Sequence, residues 1–249
     1  MTVDVFGTRW ETPLFICPVG GQRAFHAEGE MATARAAKTR HHQMILSNVS
    51  TYSVEDVAKT LGTPPWQQLY MPLTWNETEK MVKRIEDAGC QTLVWTVDLL
   101  AGRNTPTMAR FARQDTRNCT ECHTGGPGVP IFRPMYDGLS GRYNPSDATW
   151  ATFDRLKQAT RMKVMLKGID SAEDAEIAVQ RGVDGIIVSC AGACRCSSTA
   201  ACGTARTSTR RWPWARPASA SDGLISGACR PSAKKVSSAF WKSCALNCV

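Results

Sequence analysis

Six short apolar runs, separated by amphipathic stretches, constrain this chain more than any other feature. They are Leu14–Val19, Met44–Ser47, Trp66–Tyr70, Thr92–Val97, Val164–Lys167 and Gly185–Ser189. Their near-continuous hydrophobicity suits strands buried on both faces, as in a parallel sheet. The intervening stretches carry helix signals. Glu28 to Ala37 is Ala-rich, and Ser53 precedes Glu55 and Asp56 as a plausible N-cap with carboxylates in the first turn. Asn76 to Ala88 spaces Met81, Val82 and Ile85 on one face and meets Gly89 as its stop, and Ser171 to Arg181 ends at Gly182. Strand–helix alternation predicts an α/β fold, either a doubly wound sheet or a (β/α)8 barrel. One connection is long, running from Asp98 to a helix that starts near Asp147, and it is rich in Gly, Pro and Arg. In a barrel it would follow the fourth strand, at the face where active sites sit.

Ligands bind at the carboxyl ends of parallel strands, so the polar residues there carry the functional signal. They are Ser47, Gln68, Tyr70, Thr96, Asp98, Lys167 and Ser189. An ordinary end-of-strand hydrogen bond explains any one of them. A polar group ending nearly every strand is harder to explain by packing. Lys167 is the sharpest case: after Val164-Met165-Leu166 its ammonium calls for an anionic partner, which a ligand could supply.

Composition divides the chain. Over 249 residues, 43 % are hydrophobic and 21 % charged, which is globular, and no apolar run is long enough to cross a bilayer. No basic-then-apolar leader is visible at the start, so a cytoplasmic setting is expected. The net charge is +8 overall, yet residues 190–249 hold nine Lys/Arg and one acid, Asp222, and so account for all of that excess. Seven of the eleven cysteines also lie there. Residues 1–189 and 190–249 therefore read as two kinds of sequence.

In order, Pro18-Val19-Gly20, His26-Ala27-Glu28-Gly29-Glu30, Leu46-Ser47, Trp66-Gln67-Gln68-Leu69-Tyr70, Thr96-Val97-Asp98, Val164-Met165-Leu166-Lys167-Gly168 and Asp184-Gly185-Ile186-Ile187-Val188-Ser189 resemble the FMN-dependent α-hydroxy-acid dehydrogenases and oxidases. The resemblance covers roughly residues 3–189, less the long loop. It implies a (β/α)8 TIM barrel, here incomplete, with about six of eight strands recognisable. It implies FMN as cofactor and a small 2-hydroxy acid, lactate- or glycolate-like, as substrate, with the electron acceptor left open. Pro18, Val19 and Gly20 correspond to backbone lying against the flavin ring. Ser47, Gln68, Thr96 and Ser189 correspond to its polar partners, and Lys167 to the cation near its N1–O2 edge. Tyr70 and Arg103 correspond to substrate contacts, although Arg103 lies two residues nearer Asp98 than the family spacing. Asp98 corresponds to the carboxylate that supports an imidazolium formed during proton abstraction. No metal site is implied. Intact relatives are expected to be homo-oligomeric.

The pattern then breaks. The resemblance implies a segment ahead of Leu14 with a further substrate tyrosine, which this chain starts too late to include. The family's Ser-Asn-His-Gly-Gly-Arg motif should follow Ile187-Val188, but the text reads Ser189-Cys190-Ala191-Gly192-Ala193-Cys194. The histidine partner of Asp98 is thus missing, and with it the base, a loss on the order of 10²–10⁴ in rate. Strands seven and eight are missing too, which leaves open edges and predicts poor solubility. Suitable codons for residues 194–225 would conceal, in another frame, Pro-Val-Phe-Ile-Asp-Gly-Gly, Lys-Ala-Leu-Ala-Leu-Gly-Ala-Thr and Gly-Val-Gly-Ile-Gly-Arg-Pro-Tyr. These resemble the lost strands with their phosphate loops, and suggest an out-of-frame join near residue 190.

Two other readings compete. Arg210-Arg211-Trp212-Pro213-Trp214 sets arginine beside aromatics, as nucleic-acid stacking platforms do, but a frame slip explains the same residues and also the loss of acids. Cys119-Thr120-Glu121-Cys122-His123 matches the haem c attachment pattern, which requires export. The frame-slip reading predicts that the coding DNA beneath residues 194–249 carries an intact family frame; sequencing that lacks one refutes it.

Overall fold

The computed structural model describes residues 2–99, 110, 113, 114, 133–169 and 171–188. These fall into two compact units, one from Leu14 to Lys163 and the other combining the residues up to Pro13 with those from Val164 onward.

The larger unit contains four parallel strands paired in chain order: β3 (Phe15–Ile16), β4 (Gln43–Ser47), β5 (Trp66–Leu69) and β6 (Thr92–Thr96). Every residue of β5 and β6 is buried, as are Met44 to Ser47 of β4. That is the two-sided burial the continuous apolar runs predict. β3 is only two residues long because Pro13 and Pro18 bracket it and neither can donate to a ladder. Helices follow the strands: α1 (Gly29–Thr39), α2 (Val54–Leu61), α3 (Trp75–Asp87) and α4 (Trp150–Gln158). Val57 of α2, Met81 and Ile85 of α3, and Phe153 and Leu156 of α4 are all buried. Ser53 caps α2 by accepting from the Asp56 amide at 3.1 Å, and Gly62 closes it in the left-handed region at φ 88°.

The first two strand-to-helix connections are fastened to each other. Glu30, in the first turn of α1, is fully buried. Its carboxylate accepts the Gln22 amide at 3.1 Å and the Thr51 amide at 3.0 Å, and also the Thr51 hydroxyl. One charged group thus joins the loop after β3 to the loop after β4. The chain returning from the long connection is held from the far side. Arg84 of α3 donates to the Pro134 carbonyl at 2.7 Å while gripping Glu55 of α2 at 2.7 and 3.1 Å. Burial pushes the Glu55 carboxyl upward, but the Arg84 guanidinium, together with hydrogen bonds from the Glu55 amide and Ser53, holds the group below its ordinary value. Burial and the Glu55 charge push the Cys90 thiol up to about 12, so it is inert at neutral pH.

In the smaller unit, β7 (Lys163–Lys167) and β8 (Gly185–Ile187) pair in parallel, and α5 (Ala172–Gln180) with its Ser171 cap lies between them in sequence. The apolar run ending at Ser189 is a strand over Gly185–Ile187, and Ser189 lies outside the described residues. This unit also contains an element that the apolar runs do not announce, an antiparallel hairpin of β1 (Val3–Val5) and β2 (Thr8–Trp10). Its turn residues, Phe6 and Gly7, sit at φ 53° and 78°. A tight primed turn demands such angles, usually with asparagine or aspartate first. Phenylalanine gives no such signal. Its place is explained by packing: a Cβ on Gly185 would lie 3.3 Å from Phe6 Cζ and 2.9 Å from Met165 Cε, so the ring fills space that glycine leaves.

Among the described residues no helix is long and apolar enough to cross a membrane. Glu30→Ala is expected to lower stability by about 3 kcal/mol, because the buried Thr51 amide and the part-buried Gln22 amide lose a charged acceptor. Ser53→Ala is expected to cost about 1 kcal/mol. Denaturant midpoints of the two variants check this order.

Candidate functional site

The site is built on the carboxyl ends of β4, β5 and β6. Ser47 faces Gln68 in the β4–β5 register, and Gln68 faces Val94 in the β5–β6 register. Thr96 is two residues beyond Val94 and so shares its face of the sheet. The three side chains form a directed chain: the Ser47 hydroxyl donates to Gln68 Oε1 at 3.0 Å, and Gln68 Nε2 donates to Thr96 Oγ1 at 3.0 Å. All three residues are at most 2 % exposed. The chain uses one of the two amide hydrogens of Gln68 and occupies Thr96 as an acceptor. The second amide hydrogen and the Thr96 hydroxyl proton are left to donate elsewhere.

The backbone after β3 comes close to this chain. A Cβ on Gly20 would sit 2.4 Å from Val49 Cγ2 and 3.4 Å from Ser47 Oγ, so only glycine fits there without a shift. The Gly21 amide donates to the Val49 carbonyl at 3.1 Å, and Glu30 ties the adjacent residues down. Pro18 is half-buried, and Val19, at 49 % exposure, presents an apolar side chain to open space.

Tyr70 follows β5 directly and is held by Asn48. The Asn48 side chain donates to the Tyr70 carbonyl at 2.9 Å and accepts the Tyr70 amide at 3.1 Å, extending the β4–β5 ladder after the backbone has diverged. Tyr136, from the returning chain, accepts from Asn48 Nδ2 at 2.8 Å and donates to the Tyr70 carbonyl at 3.1 Å. Burial, more than any neighbouring charge, raises its phenol well above the ordinary range, so it remains a donor at any working pH. Tyr143 stacks on Tyr70 with ring centroids 5.4 Å apart and planes at 21°.

The structure therefore gathers Gly20, Ser47, Gln68 and Thr96 into one cluster and sets Tyr70 at its edge. Asp98 lies two residues past Thr96, with both carboxylate oxygens enclosed. Lys167 ends β7 in the smaller unit and is half-buried. Arg103, Ser189, the Cys119-Cys122-His123 motif and the basic tail with Arg210-Arg211-Trp212 lie outside the described residues. Among those described, no group of acidic, His and Cys side chains is arranged to hold a metal ion. Sequence reading missed Asn48, Tyr136 and Tyr143. Asn48 adjoins Ser47 and could have been found as a second polar residue at the same strand end. Tyr136 is 66 residues from Tyr70, and nothing linear joins them.

Residues 1–203 match the profile of the FMN-dependent dehydrogenases. The chain is 36 % identical over 206 residues to 4-hydroxymandelate oxidase of Amycolatopsis orientalis, covering 75 % of this chain and 53 % of that protein. It is 34 % identical to L-lactate oxidase of Lysinibacillus sphaericus, over 76 % of this chain and 51 % of the relative. A solved mandelate oxidase mutant with (S)-mandelic acid superposes with a TM-score of 0.63 at 34 % identity, over 76 % of this chain and 50 % of that one. The chain belongs to the FMN-dependent dehydrogenase family, and its fold is an incomplete (β/α)8 barrel. It spans about half the length of the curated relatives it matches.

Gln68→Leu is expected to strand the buried Ser47 and Thr96 hydroxyls and cost about 2–4 kcal/mol, whereas Ser47→Ala, which leaves the Gln68–Thr96 bond intact, should cost less. Urea midpoints of the two variants measure the difference.

Proposed function

We propose that the strand ends of this chain are an FMN cradle from an L-2-hydroxy-acid oxidase or dehydrogenase, and that the chain as it stands does not turn over. The single observation that carries the reading is the Ser47–Gln68–Thr96 chain. A planar heteroaromatic ring with acceptors along one edge needs aligned donors from a rigid support, and this chain leaves two such hydrogens in place. Gly20 lets backbone approach closely, and the exposed Val19 offers an apolar contact to a ring face. The residues present therefore fit the group.

FMN, when bound, supplies a two-electron acceptor. The rest falls to side chains of this chain. Pro18, Val19 and Gly20 would lie against the ring. Ser47, Gln68, Thr96 and Ser189 would hold its polar groups, and Lys167 would supply positive charge for them. The Tyr70 phenol meets the substrate, and Arg103 pairs with its carboxylate. Oxidation of a 2-hydroxy acid removes the hydroxyl proton and a hydride equivalent from the α-carbon, leaving a 2-oxo acid. Asp98 is the group that would hold positive charge on a neighbouring imidazole while that imidazole keeps a proton. The family's histidine does not follow Val188 in this chain, where Ser189-Cys190-Ala191-Gly192 stands instead. The proton therefore has no acceptor, and the cradle outlasts the reaction. The cytoplasm is the proposed setting, with a small 2-hydroxy acid as ligand and no role for nucleic acid.

Purified chain titrated with FMN is expected to quench and shift the flavin bands weakly, and to show no bleaching when lactate or mandelate is added without oxygen. Gln68→Leu is expected to abolish the quenching. Bleaching at a measurable rate would overturn the inactivity, and unchanged FMN binding by Gln68→Leu would overturn the cradle.

A further inference from the structure

We propose that Tyr143 is a positioning residue for the substrate-facing phenol: its ring, stacked on Tyr70, fixes the plane from which Tyr70 meets a 2-hydroxy acid. The inference rests on the reading of Tyr70 given above and deepens it.

Tyr70 is gripped through its backbone. Asn48 takes both its carbonyl and its amide, and Tyr136 donates to the same carbonyl. These bonds fix Cα. The ring itself is backed by Tyr143, with near-parallel planes and a centroid distance in the range of offset stacking. Tyr143 is itself well placed to serve as a wall. Pro72 and Tyr143 form an antiparallel bridge, the Leu73 amide donates to the Arg142 carbonyl at 3.2 Å, and the Asn144 amide donates to the Met71 carbonyl at 2.8 Å. Asn144 takes φ 63°, the turn that sends the chain away directly after the contact. The Tyr143 backbone is thus stitched to the residues that follow Tyr70. Its ring also contacts Tyr136 at 5.7 Å, and the Arg133 guanidinium lies 5.5 Å from its centroid. Two further residues of the returning chain, Tyr136 and Arg133, thus back the Tyr143 ring, an ordered arrangement that costs entropy in a loop whose only task is to connect. Orientation is what such a restraint supplies: a phenol held in one rotamer meets its ligand without first losing that freedom.

The test compares ring with no ring. Tyr143→Phe keeps the stack, and Tyr143→Leu removes it. Affinity for (S)-mandelate is read from perturbation of bound flavin absorbance, and FMN affinity is measured separately by fluorescence quenching. Tyr143→Leu is expected to weaken mandelate by about three- to tenfold, the scale of one aromatic contact, with FMN affinity unchanged and Tyr143→Phe equal to the parent. Equal weakening of FMN and mandelate, or no weakening of mandelate, overturns the inference. Should Tyr143→Leu not fold, ring-labelled tyrosine resonances of the unaltered chain decide: Tyr70 and Tyr143 signals shifting together on mandelate addition support it, and a shift at Tyr70 alone overturns it. Tyr70→Phe serves as the separate control. If it binds mandelate as tightly as the parent, the role given to Tyr70 is wrong, and the inference falls with it for that distinct reason.

Discussion

The hydrogen-bond chain from Ser47 through Gln68 to Thr96 is the interaction on which the site depends. Three polar side chains end three adjacent strands at positions with almost no solvent. Each would be destabilising alone, since a buried hydroxyl or amide without a partner costs more than its bond returns. Together they satisfy one another in a single direction and leave one Gln68 amide hydrogen and the Thr96 hydroxyl hydrogen uncommitted. The same bonds that make the polar ends tolerable also fix the rotamers of the side chains that carry the remaining donors.

A cradle of this kind needs its loops held as firmly as its strands. The buried Glu30 carboxylate does this on one side by drawing together the amides of Gln22 and Thr51. Its position in the first turn of α1 also favours a negative charge. On the other side Asn48 continues the β4–β5 ladder with its side chain, where the backbone can no longer do so. Arg84 joins α2, α3 and the returning chain through Glu55 and Pro134. The strand ends are therefore clamped from both flanks, as preorganised recognition requires.

Much of this was legible beforehand. The strands at Met44, Trp66, Thr92, Val164 and Gly185 were marked by apolar runs too continuous for amphipathic helices, and the capping serines at 53 and 171 announced their helices. Ser47, Gln68 and Thr96 stood out because nothing in a sheet core needs them. The hairpin at Val3–Trp10 was not legible, because its turn begins with phenylalanine and is justified by contact with Gly185 rather than by local preference. Glu30 was legible only as the end of the His26-Ala27-Glu28-Gly29-Glu30 motif, and its burial and its bonds to Gln22 and Thr51 came from the tertiary structure.

The sequence by itself determined the alternation of strand and helix, the polar residues that end the strands, and the absence of a histidine after Val188. These are properties of pattern, and a period of two or of 3.6 residues survives in linear text. Only the tertiary structure decided which polar ends bond to which, and that Tyr136 and Tyr143 come back to Tyr70 after a long excursion. Contacts between residues so distant along the chain depend on strand register and loop closure, and neither leaves a periodic trace.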